Sequence, residues 1–359
     1  VEARRLGYTP LIQSIGVIAM KVLLTGSEGY IGAVMRDYLL ERGHEVVGLD
    51  TGYFADCNFG APPTPIPVVR RDLREVEAED FQGFDAVIHL AALSNDPLGN
   101  LTPGVTEAIN TDGSIRTAQK AKAAGVSRFL FASSCSLYGQ GSSLGLTEEA
   151  EANPQTPYAR SKIDFEHALW ELADDDFSPV SLRNATAFGV SPRLRFDIVV
   201  NNLCGWAWTT GKIAMSSDGT PWRPLVDVKD ISRAFVCALE APREAIHAQA
   251  FNVGSTENNV QIRDIAYKVQ AQMPECEVTF GNSDGDTRTY NVDFTKIETK
   301  LPGFVKAKHT VDGAITEFLE AFKALSLKEA DFNSRLYTRL KQIRHLQDTG
   351  QLDAELRWL

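Results

Sequence analysis

The sequence predicts an α/β fold, a doubly wound parallel sheet with a smaller α/β part appended, and three observations carry that expectation. Strand-like apolar runs alternate with helical patterns through the first half of the 359-residue chain. Those runs are continuously apolar, which suits strands covered on both faces. The first of them, Val22-Leu23-Leu24-Thr25, ends in Gly26, Gly29 and Gly32 and opens directly into a helical pattern from Val34 to Leu40.

That first turn gives the sheet a Rossmann-like character. Gly26 permits the tight turn, Gly29 lets backbone N–H groups approach a phosphate, and Gly32 lets the helix pack closely, with the helix N-terminus favouring negative charge. The span Gly26 to Gly32, including Tyr30 and Ile31, is therefore the expected cradle of a dinucleotide pyrophosphate. Asp50 closes the next apolar run, Glu45 to Leu49, where a carboxylate would accept hydrogen bonds from an adenosine ribose. A 2′-phosphate would meet that charge with no Arg or Lys following closely, so NAD is expected over NADP.

Further strands are expected at Pro67–Arg70, Ala86–Leu90, Arg128–Ala132 and Val180–Arg183, and Ala55–Pro67, with four prolines, reads as a loop. Beyond about residue 190 the pattern is less regular, with turns at Thr210-Gly211, Ser216 to Gly219 and Gly281 to Gly285. Ala250-Phe251-Asn252-Val253-Gly254 reads as one more strand rejoining the main sheet. The expected organisation is an NAD-binding part over 20–190 and a substrate-binding part over 191–325, of which about 226–255 rejoins the first. Phe332, Leu336, Leu340, Ile343 and Leu346 recur at three- and four-residue spacing, predicting a C-terminal amphipathic helix within 326–359.

Charge and cysteine usage narrow the function classes. A net charge of −11 argues against non-specific nucleic-acid or anionic-membrane binding. The five cysteines are scattered and lack CxxC spacing, so neither a disulfide framework nor a zinc or other metal site is indicated, and a reducing cytoplasm fits. No apolar stretch approaches the roughly 20 residues that span a bilayer. Residues 1–19 read as a leader or extension before Met20.

Tyr158-Ala159-Arg160-Ser161-Lys162 puts a phenol and an ammonium four residues apart, on one face of a helix that follows Pro157. A nearby lysine favours the phenolate and draws the phenol below its usual pKa of about 10, toward use as a general base. The hydroxyls of Ser133 and Ser134, ending the strand Phe129 to Ala132, supply a third group where such sheets carry their active residues.

With these residues assembled, the chain from Lys21 to about Leu325 resembles the extended short-chain dehydrogenase/reductases, specifically the nucleotide-sugar epimerases and dehydratases. The resemblance rests on Gly26-x-x-Gly29-x-x-Gly32, Asp72-Leu73, Leu90-Ala91-Ala92, Asn110-Thr111-Asp112-Gly113, Ser133 to Gly139 and Tyr158-x-x-x-Lys162. It implies that Asp72 and Leu73 bracket the adenine, that Leu90, Ala91, Ala92, Asn110 and Ser133 serve the cofactor, and that Tyr158 is the acid/base. It also implies that Lys162 holds the nicotinamide ribose and that Ser134, with Ser133 as runner-up, bonds the reacting sugar hydroxyl. Arg223 in Asp218 to Val228, Arg288 after Asp286-Thr287, and Asn202 match positions that bind a nucleotide diphosphate, and guanidinium forks suit phosphate oxygens. Relatives pair as homodimers through the Tyr158 helix, where Ala168, Leu169 and Leu172 could equally be core, and the preceding helix, about Pro103–Ala124.

Departures from the family pattern shape the expected reaction. Where the 4,6-dehydratases carry Thr-Asp-Glu, this chain reads Ser134, Cys135, Ser136, which removes both carboxylates needed for elimination. The catalytic cysteine of the 3,5-epimerases would fall at Ser136, so Cys135 is expected to be buried and inert. Thr186 stands where many relatives have a substrate-binding Asn, with Asn184 two residues early. The expectation is an NAD-dependent epimerase inverting C4 of a nucleotide-diphosphate sugar. A 4-ketoreductase of deoxysugar synthesis is the alternative, and a non-catalytic dinucleotide-binding regulator a more distant one.

Overall fold

The structure, a computed structural model, describes residues 18–94, 103–139, 145–282 and 288–359. The leader expected before Met20 lies almost wholly outside the described residues, as do Asp286 and Thr287. In chain order the strands are β1 Lys21–Thr25, β2 Glu45–Asp50, β3 Val68–Arg70, β4 Ala86–His89, β5 Arg128–Ser134, β6 Ser178–Asn184, β7 Thr186–Phe188, β8 Lys212–Met215, β9 Trp222–Asp227, β10 Gln249–Val253, β11 Asn259–Gln261 and β12 Glu277–Phe280. Seven of them form a fully parallel sheet ordered β10-β6-β5-β4-β1-β2-β3. The order reverses between β1 and β4, and it is at such a switch point that the crevice outside the strand ends opens.

Burial on both faces explains the continuous apolar runs. Val22 and Leu24 of β1 pack with Met35 and Leu39 of the first helix, α1 (Gly32–Glu41), while Leu23 joins Val87, Phe129, Phe131, Phe165 and Leu169 on the opposite side. Leu169 is thus core, fully buried on the Tyr158 helix. A second apolar cluster built from Phe188, Leu203, Ile265, Phe318 and their neighbours underlies the smaller part. That part contains a mixed sheet ordered β11-β9-β7 and the parallel pair β12-β8. Among the described residues no helix is long and apolar enough to cross a membrane.

The helix Pro157–Glu171 starts where its sequence says it should. Thr156 accepts a hydrogen bond from the Ala159 N–H at 3.2 Å, and Pro157 takes a first-turn position that needs no donor. Four residues beyond Lys162, Glu166 is completely buried and receives Arg183 of β6 through Nη2 at 2.7 Å and Nε at 3.1 Å. Arg183 also donates to Tyr138 Oη at 3.1 Å and to the Glu148 carbonyl at 2.9 Å. This pair locks the Tyr158 helix against the sheet.

The C-terminal segment corrects the expectation of one amphipathic helix. It runs as Glu329–Phe332, a 3₁₀ turn Arg335–Tyr337 and a helix Arg339–Asp348. Each piece docks on a different partner. Phe332 packs on Phe196 and Trp206, Tyr337 on Phe59, and Ile343 and Leu346 join Tyr53, Leu93 and Ile109.

Replacing Glu166 with Ala should lower the free energy of unfolding by about 3–5 kcal/mol, because it strands the Arg183 charge in the interior. Denaturant titration checks this, and the double replacement Glu166→Leu with Arg183→Met should recover most of the loss.

Candidate active site

A cleft of about 600 Å³ opens at the carboxyl ends of the main sheet's strands, within the size range of small-molecule sites. Its floor is the turn between β1 and α1. Gly26 sits at φ +69°, and a Cβ there would come within 2.8 Å of the Ala91 nitrogen. A Cβ on Gly32 would come within 2.3 Å of the Gly26 carbonyl oxygen, so α1 can reach the turn only through glycine. No side chain caps the N-terminus of α1 and no acidic residue occupies its first turn. Those N–H groups and the associated positive end of the helix dipole fit the phosphates of a dinucleotide. Gly26, Gly29, Tyr30, Ile31 and Gly32 all line the cleft.

Asp50 lies beside this turn. Its carboxylate accepts the Glu28 N–H at 3.0 Å and the Gly52 N–H at 2.8 Å, and burial holds it above the usual carboxylate range despite those bonds. Asp72 and Leu73 form the next part of the wall, Asp72 capping a 3₁₀ turn and binding Arg74 at 2.6 Å. Sequence distance concealed two arginines here. Arg70 ends β3 and Arg71 follows it to line the cleft, but Glu28 takes the first and Asp80 the second.

Leu90, Ala91 and Ala92 follow β4 along the cleft. His89 supports them from below: it bridges Thr25 Oγ1 and Ser114 Oγ at 2.9 Å each, and Thr25 in turn accepts the Ala91 N–H. Burial pushes the His89 ring down to about 3, keeping it neutral.

Two of the expected residues lie outside the cleft lining. Asn110 does not line the cleft but is buried behind it, accepting the Leu93 N–H at 2.8 Å and donating to Ser161 Oγ at 3.3 Å. It lies within a π-helical stretch, Ala108–Asp112, of the helical run that starts at Pro103. Asn202 likewise is absent from the wall; it donates to the Phe196 carbonyl at 2.9 Å, and its neighbour Asn201 turns inward to Arg195 O and Tyr30.

Ser133, Ser134, Tyr158 and Lys162 converge on one wall. Lys162 donates to the Ala132 carbonyl at 2.8 Å, and its ammonium lies 5.5 Å from the centre of the Tyr158 ring. Burial lowers this ammonium to about 7, with Glu166 opposing the shift. Ser134 accepts the Ser136 N–H at 3.2 Å, while the buried hydroxyls of Ser133 and Ser136 have no partner. Cys135 points the other way, donating to the Arg183 carbonyl, and burial pushes its thiol up. On the neighbouring strand, in register with Ser134, Asn184 donates to the Ser133 carbonyl at 3.2 Å and leaves its own Oδ1 unpartnered. Both Asn184 and Thr186 line the cleft.

At the far end Arg223, from β9, and Arg288 line the cleft together, joined by a hydrogen bond from the Arg223 guanidinium to the Arg288 carbonyl. The smaller part thus brings two cations to an otherwise acidic protein. Sequence reasoning missed Arg195, Asp197 and Arg339, which also line the cleft. The signal for the first two was the alternation Arg193-Leu194-Arg195-Phe196-Asp197; nothing local marks Arg339.

A model of the NAD dependent epimerase/dehydratase family matches residues 22–254. The UDP-glucose 4-epimerase of Corynebacterium glutamicum is 29% identical over 251 residues, 66% of this chain and 75% of that protein. A UDP-glucose-4-epimerase from Stenotrophomonas maltophila, solved with bound NAD and formylated UDP-arabinopyranose, superposes with a TM-score of 0.75 at 24% identity, covering 86% of this chain and 99% of that one. An NAD-dependent NDP-hexosamine 5,6-dehydratase of tunicamycin biosynthesis also reaches 0.75, at 22% identity, covering 85% and 98%. At such identities the structural likeness speaks for the fold.

A lysine held near 7 in the folded chain and near 10.4 in the unfolded one binds fewer protons when folded throughout that window, so folding gains as pH rises from about 7 to 10. Thermal unfolding of the parent and of Lys162→Met between pH 6 and 10.5 should show the parent gaining on the variant across that interval. A constant difference would mean that Lys162 does not titrate there.

Proposed function

We propose that this chain, which belongs to the NAD dependent epimerase/dehydratase family, is an epimerase that inverts C4 of a nucleotide-diphosphate sugar. One observation carries the reading: Ser134, Tyr158 and Lys162 line the cleft at the end of β5, where Cys135 is turned away and the run Ser134-Cys135-Ser136 itself offers no carboxylate for elimination. The similarity to UDP-glucose 4-epimerases supports it.

The residues divide the work by position. The glycine turn and Asp50 would hold the dinucleotide, with the α1 N-terminus at its phosphates. NAD held along this turn would supply the hydride chemistry, a nicotinamide able to take a hydride from C4 and give it back. Tyr158 takes the proton from the sugar 4-hydroxyl and gives it back after the ring has turned, as general base and then general acid. Lys162, in its protonated form, would place positive charge beside the phenol, which favours the phenolate. Ser134 holds the 4-hydroxyl in line with Tyr158. Arg223 and Arg288 grip the diphosphate while the sugar reorients, because guanidinium forks match phosphate oxygens. Pairing of two copies through the Tyr158 helix and the Pro103 helical run belongs to the same proposal.

The closing experiment incubates the protein in D₂O with UDP-, dTDP-, GDP- and CDP-sugars and follows the ring protons by NMR. Inversion at C4 without deuterium uptake is expected. Deuterium at C3 or C5 would point to carbanion chemistry, and turnover only of a 4-ketosugar with reduced coenzyme would make the chain a reductase. Tyr158→Phe should lower kcat by roughly 10²- to 10⁴-fold while leaving NAD bound.

A further inference from the structure

The chain between Ser191 and Asp197 runs directly against the glycine turn. Ser191 Oγ donates to the Tyr30 carbonyl at 2.8 Å, and Arg193 Nε donates to the Glu28 carbonyl at 3.2 Å. Arg195 follows, only 6% exposed, bonded to Asp197 at 2.6 Å and to Ser94 Oγ at 3.0 Å, with its Nη2 unpartnered.

Onto this stretch comes Arg339 from the C-terminal segment, 2% exposed. Its Nη2 donates to the Arg193 carbonyl at 3.0 Å, its backbone N–H reaches Asp197, and its guanidinium lies 4.3 Å from the centre of the Phe54 ring. Its Nη1 has no partner. Asp197 thus accepts the Arg195 guanidinium and the Arg339 backbone N–H, and each of these two buried guanidinium groups keeps an unsatisfied nitrogen, on residues that line the cleft. Burial and the neighbouring Arg195 charge together hold Arg339 down to about 10. An anion between them would satisfy both nitrogens and offset the like-charge repulsion.

The position selects the anion. Phe54 belongs to the loop after Asp50, at the adenosine end, and Arg195 lies toward Tyr30 and Tyr158, at the reacting end. Arg339 touches both, with Phe54 under its guanidinium and Arg195 near enough to lower it, and it bonds the carbonyl of Arg193, the residue that donates to the glycine turn. We propose that Arg339, acting with Arg195, is a second clamp on the dinucleotide diphosphate, so that the C-terminal segment closes the cofactor site that the glycine turn opens. This rests on the NAD site described above. The same segment is fastened to the adenosine end by Tyr53 Oη on the Leu356 carbonyl, by Trp358 Nε1 on the Thr51 carbonyl at 2.7 Å, and by Gln342 Nε2 on the Tyr53 carbonyl at 3.0 Å.

The test compares the parent with Arg339→Gln and Arg339→Lys. NAD per chain is measured after gel filtration, and affinities for NAD, ADP, adenosine and UDP are measured on protein freed of nucleotide. Arg339→Gln should weaken NAD and ADP by about 10- to 100-fold, as expected for losing a charge-assisted hydrogen bond, and should leave adenosine, which has no diphosphate, within about two-fold. Arg339→Lys, which keeps the charge without the fork, should fall between. Equal weakening of adenosine would make Arg339 a mere wall residue, and loss of UDP affinity alone would assign it to the sugar nucleotide; either result overturns the proposal. Failure of the parent itself to bind NAD or ADP would instead remove the cofactor site on which the proposal stands. Should Arg339→Gln not fold, hydrogen exchange on the parent decides: ADP should protect residues 339–348 and adenosine should not, and equal or no protection overturns the clamp.

Discussion

Everything at this site hangs on how closely one helix can approach the turn that precedes it. With hydrogen at Gly32, α1 sits against the Gly26 carbonyl at a separation that any Cβ would occupy. That contact aims the helix N-terminus into the cleft, and the turn it fixes places Glu28 and Tyr30 where Asp50, Ser191 and Arg193 bond to them. Both parts of the chain are thereby registered on one backbone turn of a few residues. Side-chain chemistry at the other wall depends on this registration, because Ala91, adjoining that turn, is the residue from which the β4 loop sets out.

The electrostatics are local in the same sense. An excess of negative charge covers the molecule as a whole, yet the cleft gathers Arg195, Arg223, Arg288 and Arg339 among its lining residues. Buried ion pairs seldom add net stability, but they fix geometry. Here Arg183 with Glu166 holds the helix that carries Tyr158, and Arg195 with Asp197 holds the stretch facing the glycine turn.

The sheet was readable because each strand's identity is local: an unbroken apolar run between turns leaves little choice of period. Ser134, Tyr158 and Lys162 were readable for the same reason, being a strand end and one helical face. Asn110 and Asn202 were not, because their direction depends on rotation about a helix axis. Asn110 sits in a π-helical stretch, and Asn202 is the immediate neighbour of the inward Asn201. The C-terminal segment misled through its periodicity, since Phe332, Leu336, Leu340, Ile343 and Leu346 keep a three- and four-residue rhythm while falling on three separate elements. Arg339 was invisible: its partners Arg193 and Asp197 lie more than 140 residues away in sequence.

The path of the chain has a mechanical corollary. It leaves the large sheet after β6, builds the smaller part through β9, returns as β10 beside β6, and leaves again for β11 and β12. Repeated crossings restrain how the two parts can move against each other more than a single connection would. For the proposed reaction such restraint assigns the half-turn that exposes the other ring face to the sugar more than to the protein. Tolerance for different sugars would then be a matter of free rotational volume in the cleft, not of how far a jaw can open.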